Sequence, residues 1–219
     1  MTNLNRTSSD FHRDSKSISL VERILKRMID IVLAIIGLLI SLPIFAVVAI
    51  IIRLDSPGPI LILQKRVGKN GELFDLIKFR SMFADAEMNS HNILGDNPIN
   101  NSSLKVRDDP RVTPAGRALR RWSIDEFPQF WNVLCGDMSM VGPRPEEKWI
   151  VELYNEAQIQ RLAVKPGLTG PMQVSGRGEL DMDDRLALEL NYINNFSIWN
   201  DLKIIVKTIP ILISGKGAY

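Results

Sequence analysis

Two acidic residues stand side by side, Asp125 and Glu126, within the stretch SIDEFPQFWNVL that runs from Ser123 to Leu134. Cations are scattered around them in the sequence: Lys78, Arg80, Arg120, Arg144 and Arg177. Adjacent carboxylates suit a hard divalent cation such as Mg²⁺, which takes oxygen ligands and shares them with substrate phosphates. Separated arginines suit phosphate, because the planar guanidinium offers a fork of donors. Pro143 and Pro145 flank Arg144 and fix the backbone on either side of it. Other chemistries have no residues to run on. The chain has two histidines, His12 and His91, and one cysteine, Cys135. One cysteine excludes a cysteine-cluster zinc site and an internal disulfide, and two histidines argue against a multi-histidine metal site. No phosphate-binding glycine loop, dinucleotide fingerprint or serine nucleophile elbow occurs. Cys135 reads as a buried helix residue without catalytic work. Catalysis here must run on carboxylates, Lys and Arg, against a phosphate-rich ligand.

Each of these residues also has a plain structural reading, which depends on the element that carries it. Ser123 precedes Glu126 by three, the spacing of a capping box, and Asp125 then falls in the first turn of a new helix. On that reading the acids merely start a helix. The same geometry keeps a carboxylate ionised beside an anion site, with Arg120 close by. Arg120 sits on a short basic helix with Thr113 as N-cap and Pro114 at its first position. Lys78 and Arg80 share one face of a strand, with Ile77 and Phe79 on the other. That strand, Leu73 to Met82, pairs with Ile60 to Val67 as a hairpin across a Gly68–Gly71 turn. Two neighbouring cations are either an anion site or a solvated face. Further on, Glu147 to Val164 reads as one amphipathic helix with Trp149, Ile150, Leu153 and Tyr154 inward. Leu168 to Arg177 is loop or short strand, and Asp181 to Asn194 is a helix packing through Leu186, Leu188, Leu190 and Ile193. Residues 86–108 are Asn- and Asp-rich and read as a long loop.

The whole chain explains where this constellation sits. Its 219 residues carry 27 Lys plus Arg and 25 Asp plus Glu, a net charge of +2, which excludes a polybasic nucleic-acid binder. Mean hydropathy is +0.01 despite 24% charged residues, so something very apolar is segregated from something very polar. The apolar part is Ile31 to Ile52, uncharged and long enough to cross a bilayer core. It begins too far from Met1, and lacks the cleavage site, for a simple signal peptide. Pro43 near its middle predicts a kink, with Ser41 able to satisfy part of the freed backbone. Basic residues flank both sides: Arg23, Lys26 and Arg27 before, Arg53, Lys65, Arg66 and Lys69 after. Both flanks thus carry the cytoplasmic signature, which a helix that enters one leaflet and returns would satisfy. Charge and proline leave spanning and re-entrant forms both open. Lys26 and Arg27 are placed to reach lipid phosphates, and Trp199 to Ile213 reads as a second amphipathic stretch, interfacial or core-facing, with Pro210 bending or ending it.

Taken together, KFRSM (Lys78–Met82), DPRVTPAGRALRRWSIDEFPQFWNVLCGDMSMVGPRP (Asp109–Pro145) and KPGLTGPMQVSGR (Lys165–Arg177) closely resemble the bacterial sugar transferase family. Its members are monotopic polyprenyl-phosphate phosphoglycosyl transferases. The resemblance runs from about Val21 to Tyr219. It implies an α+β, mainly helical fold: a polar tail over 1–20, a re-entrant membrane helix over 21–53 broken near Ser41–Pro43, and a catalytic domain over 54–219 with a C-terminal interfacial helix. It implies the small form of the family, on the cytoplasmic face of the bacterial inner membrane. Asp125 matches the family nucleophile, which attacks the β-phosphate of a UDP-sugar and releases UMP. Undecaprenyl phosphate then takes the sugar phosphate, with Mg²⁺ required. Glu126 matches the second acid of the pair, a metal ligand or polarising group beside Asp125. Lys78, Arg120, Arg144 and Arg177 match cationic positions for diphosphate or lipid phosphate, with Arg80 a weaker member. Membrane lipids are partners, nucleic acid is not, and a homodimer stays open. The chain departs from the family at Leu42, which separates Ser41 from Pro43, and at Glu189, which stands where an Asp is expected.

Two other readings compete. A non-catalytic membrane-anchored module would use the acids as caps and the arginines as lipid-phosphate clamps, and would tolerate Asp125→Asn. Another polyprenyl-phosphate enzyme would release UDP or free phosphate instead of UMP. No stretch reads as a code for a particular sugar.

Overall fold

The computed structural model describes residues 19–83, 109–176 and 180–215. Residues 1–18 of the polar tail expected over 1–20, the whole loop expected over 86–108, and Arg177 lie outside the described residues. What is described is mainly helical, with a small hairpin and one long apolar helix, α1 (Leu20–Asp55). This helix starts at a capping box absent from the sequence reading. The Ser19 hydroxyl accepts from the Glu22 N–H at 3.2 Å, and the Glu22 carboxylate accepts from the Ser19 N–H at 3.0 Å. The helix then runs on through Pro43. Ser41 Oγ donates to the carbonyl of Gly37 at 2.6 Å. The carbonyl that Pro43 leaves without its donor is that of Leu39, so Ser41 supports a different one.

A narrow stripe of α1 is buried along its whole length: Asp30, Ala34, Ser41, Val48 and Ile52. At 100° per residue these five fall within about 40° of one another. The stripe lies against the rest of the chain at both ends. In the N-terminal half, Asp30 accepts from the Met140 N–H at 2.9 Å and from Ser139 Oγ at 3.0 Å. Lys26 pairs with Asp201 at 2.6 Å, and Arg27 donates to the carbonyls of Val133 and Leu134 at 2.7 and 2.9 Å. Lys26 and Arg27 therefore face the folded domain, where Arg27 satisfies carbonyls at the end of a helix, instead of reaching for lipid phosphates. In the C-terminal half, Val48 and Ile52 pack with Phe79 and Leu119, and Phe45 meets the Phe79 ring edge-on at 5.0 Å. The opposite side of α1 leaves Leu39, Ile40, Leu42, Ile50 and Leu54 exposed.

Strands β1 (Leu61–Val67) and β2 (Leu73–Phe79) form the expected antiparallel hairpin, in register from Leu61–Phe79 to Val67–Leu73. A second, parallel pair joins β3 (Ser139–Val141) to β4 (Gly167–Thr169). The sequence reading held no strand at 139–141, which is three residues long and has no alternation to betray it. A Cβ on Gly167 would stand 2.1 Å from the Gly142 nitrogen, so glycine permits this pairing. Between the sheets come α2 (Pro114–Arg121), with Thr113 capping as expected, and α3 (Gln129–Cys135). Cys135 is exposed, against expectation.

The helix expected over Glu147–Val164 is three short pieces: α4 (Lys148–Val151), α5 (Glu156–Ile159) and a 3-10 turn over Gln160–Ala163. Asn155 restarts the chain with its own capping box, so Ile150 and Tyr154 are buried while Leu153 is exposed. After α6 (Pro171–Ser175) comes α7 (Met182–Asn194), capped by Asp181. Its buried face is Met182, Arg185, Glu189, Tyr192 and Ile193; of the residues expected to pack, Ile193 is buried and Leu190 lies partly buried against the core, while Leu186 and Leu188 are not part of the buried face. The last helix, α8 (Ile198–Ser214), continues past Pro210 and buries Asp201 and Ile204 against the core.

Candidate active site

Four elements meet around a polar cavity of about 140 Å³. Lys78 reaches it from β2, Arg120 from the end of α2, Asp125 and Glu126 from the turn that follows, and Arg144 from the loop after β3. Residues spread over 67 positions of sequence thus converge, five of the seven expected site residues. Asp125 is 8% exposed.

The turn carrying the acids differs from the helix start expected of it. Ser123 is left-handed (φ 54°, ψ 25°) and makes no side-chain cap. Its carbonyl accepts from the Glu126 N–H at 3.2 Å, and that of Ile124 from the Phe127 N–H at 3.1 Å, closing a 3-10 turn over Ile124–Glu126. Pro128 has no N–H to return to Ile124, which disfavours an α-helix running from Ser123, and α3 begins at Gln129. A left-handed serine costs of order 1–3 kcal/mol and persists where its surroundings hold it. Here it directly precedes the turn bearing the acid pair.

Arg144 Nη2 meets Glu126 Oε1 at 3.0 Å. The backbone of Arg144 is gripped in turn: its N–H donates to Glu189 at 3.4 Å, and Arg161 donates to its carbonyl at 3.3 Å. Glu189 is fully buried between Arg161 and Arg185, and Arg185 also pairs with Glu146. Arg161 further bonds the Tyr154 hydroxyl. The longer side chain at 189 is therefore accommodated in a closed ionic network behind Arg144. None of Glu146, Arg161 and Arg185 was singled out from sequence. The available signal was the Arg185–Glu189 spacing of four, on a helix face that apolar patterning alone would give to leucines.

Burial, and then the neighbouring Arg66, bring the Lys78 ammonium down to about 8. Burial lowers Arg120 as well, against the pull of Asp125. The Glu126 carboxylate raises Arg144. Nη1 of Arg120 is buried beside the cavity with no hydrogen-bond partner among the described residues.

Arg80 is not in this group. Strand β2 ends at Phe79, three residues before the expected end, and the alternation that put Arg80 beside Lys78 ends with it. Its guanidinium, 3% exposed, donates to the carbonyls of Ile52 and Ser56 at 3.2 and 2.5 Å, closing the C-terminus of α1. Arg80 anchors the membrane-type helix to the domain and does not line the cavity.

Among the described residues no group of three or more His, Cys, Asp or Glu could enclose a metal. Mg²⁺ asks for less: one or two carboxylates, with waters and substrate phosphates completing the shell. Asp125 and Glu126 on the wall of a polar cavity fit that demand, provided a phosphate ligand is present.

The sequence model of the bacterial sugar transferases matches residues 21–215. The galactosyl transferase CpsE of Streptococcus agalactiae serotype III (strain NEM316) is 48% identical over 200 residues, covering 89% of this chain and 43% of the relative. The undecaprenyl-phosphate galactose phosphotransferase of Salmonella typhimurium (strain LT2) is 40% identical, over 90% of this chain and 42% of the relative. The exopolysaccharide production protein ExoY of Sinorhizobium fredii (strain NBRC 101917 / NGR234) is 37% identical, over 89% of this chain and 88% of the relative. The chain thus spans less than half of the first two proteins and nearly all of the third. With the match extending from the apolar helix α1 through the residues that line the polar cavity to the end of α8, this chain belongs to the bacterial sugar transferase family.

Proposed function

We propose that the chain moves a sugar 1-phosphate from a UDP-sugar to a polyprenyl phosphate, undecaprenyl phosphate by analogy with the relatives' names, as an early membrane step of exopolysaccharide, capsule or glycoconjugate assembly. The observation that carries this reading is the convergence of Asp125, Glu126, Lys78, Arg120 and Arg144 on one polar cavity. A carboxylate set among three cations is built to attack phosphorus while the charge on the phosphates is held.

In the first step an oxygen of Asp125 attacks the β-phosphorus of the donor. The bond from that phosphorus to the bridging oxygen breaks, and UMP leaves with the oxygen. The sugar phosphate is then an acyl phosphate on Asp125. In the second step an oxygen of the lipid phosphate attacks the same phosphorus, and the Asp125 carboxylate departs unchanged. Splitting one transfer into two lets a single set of cations serve both. Lys78 and Arg120 hold donor phosphates, and Arg144, fixed by Glu189 and Arg161, orients Glu126 and meets phosphate oxygens. Mg²⁺, when bound by Asp125 or Glu126, would neutralise phosphate charge.

The reading also places α1 within one leaflet. Straight, its 36 residues would extend about 54 Å. Yet polar groups at both ends bind the same domain: Lys26, Arg27 and Asp30 at one end, and the Ile52 and Ser56 carbonyls held by Arg80 at the other. A helix spanning a bilayer would send those ends to opposite sides. A re-entrant helix on the cytoplasmic side, with Ser41 and Pro43 at its deepest part, meets both contacts and both basic flanks.

The test is UMP release from a panel of UDP-sugars with undecaprenyl phosphate and Mg²⁺. Release with one donor sugar, abolished in Asp125→Asn, is expected. Release of UDP or inorganic phosphate in place of UMP would contradict the proposal.

A further inference from the structure

A second cavity, of about 200 Å³, shares two lining residues with the polar one, and they are Glu126 and Arg144. Beyond that ion pair its character changes. Phe130, Met140, Leu168 and Met172 line it from the domain, and Ile205 and Ile209 from α8. A UDP-sugar has no apolar part to fill such a space. The fitting ligand has an anionic head at Arg144 and an apolar chain that begins directly behind it. Two further observations agree. The side-chain amide of Gln173, on the wall of the groove, has both its nitrogen and its oxygen buried without a hydrogen-bond partner among the described residues, which leaves a donor for a phosphate ester oxygen. The helix that forms one wall also turns Val206 and Ile213 outward, so the groove adjoins an apolar outer face of the molecule.

We propose that this groove, between α8 and the β4–α6 segment, seats the isoprene units nearest the phosphate of the acceptor lipid. The Glu126–Arg144 pair then divides a donor side from an acceptor side, and the acceptor phosphate arrives at the β-phosphorus from the groove while Asp125 holds the sugar phosphate in the cavity. The proposal rests on the transferase reading and adds to it the place where the acceptor chain binds.

The two steps can be read separately. Exchange of labelled UMP into the UDP-sugar that the donor panel selects reports the first step and needs no acceptor. Transfer to undecaprenyl phosphate in detergent micelles reports the second. Ile209→Gln removes one apolar wall residue, and Val206→Gln, on the outer face of the same helix, controls for seating of α8 in lipid. Losing the burial of one large aliphatic side chain corresponds to roughly a tenfold fall or more. The expected result is that fall in kcat/KM for undecaprenyl phosphate in Ile209→Gln, with UMP exchange within about twofold of wild type and with Val206→Gln near wild type in both assays. Unchanged acceptor kinetics in Ile209→Gln, with exchange intact, would overturn the groove assignment and leave the transferase reading standing. An equal loss of exchange and transfer would also overturn it, because Ile209 would then be structural. Equal acceptor losses in Ile209→Gln and Val206→Gln would assign the effect to membrane seating and overturn it too. Absence of exchange in the wild-type protein would remove the transferase reading itself, and the groove assignment with it.

Discussion

Lys78 is the residue whose chemistry is most exposed to pH. Its ammonium lies at about 8 where an ordinary lysine lies at 10.5. Above pH 8 the free protein loses the cation that the proposed function assigns to donor phosphate, so kcat/KM for the UDP-sugar is expected to fall on that limb. Lys78→Arg, which cannot deprotonate in this range, is expected to move the limb to higher pH in a pH–rate profile. Stability runs the other way. Between pH 8 and about 10.4 the unfolded chain keeps the proton that the folded chain has shed, so this residue's contribution to stability rises with pH there. Opposite slopes of activity and stability separate a lost ligand contact from unfolding. A flat activity profile through pH 8 to 10 would contradict the assignment. Glu189 gives a second expectation at this scale. Glu189→Ala strands Arg161 and Arg185 in the interior, and breaking a buried pair typically costs about 3–5 kcal/mol. Chemical denaturation measures it, and a loss under about 1 kcal/mol would contradict the network's role.

At the scale of elements, legibility followed the length and regularity of the local pattern. The hairpin, the Thr113–Pro114 helix start and the Asp181–Asn194 helix were readable because turn residues and caps stood at fixed offsets. Asp125 and Glu126 were readable as a pair, but their turn was not, because a capping-box spacing at Ser123 competes with Pro128 four residues after Ile124. Arg80 was misplaced because alternation says nothing about where a strand stops. The buried face of α7 was hidden by charge: Arg185 and Glu189 sit where leucines would be expected, and their burial depends on Arg161 and Glu146, distant in sequence. For α1 the pattern showed length and apolarity, and only tertiary contacts at both ends bear on its course. Cysteines at its ends test that course. In a Cys135→Ser background, Leu20→Cys and Leu54→Cys occupy residues 65% and 83% exposed. In spheroplasts, a membrane-impermeant maleimide added outside is expected to label neither, and to label both after permeabilisation. Labelling of one end from outside would establish a spanning helix.

For the whole molecule, the arrangement joins two solvents. One side of α1 and the outer side of α8 are apolar, while the cavity between β2, the Ile124–Glu126 turn and the Arg144 loop is charged. Bound to the domain along a single stripe, α1 keeps its opposite side apolar and sends no residue into that charged cavity. The central claim is that Asp125 carries the sugar phosphate between these two environments. The direct measurement is the intact mass of the purified protein after brief exposure to its UDP-sugar and Mg²⁺ without any acceptor, with UMP counted in the same sample. The account predicts a burst of UMP approaching one per protein and a mass gain of one sugar phosphate. That gain would map to Asp125, disappear on adding undecaprenyl phosphate, and be absent in Asp125→Asn. UMP release that begins only when the acceptor is added, with no mass gain before it, would contradict the covalent mechanism and require direct transfer between donor and lipid.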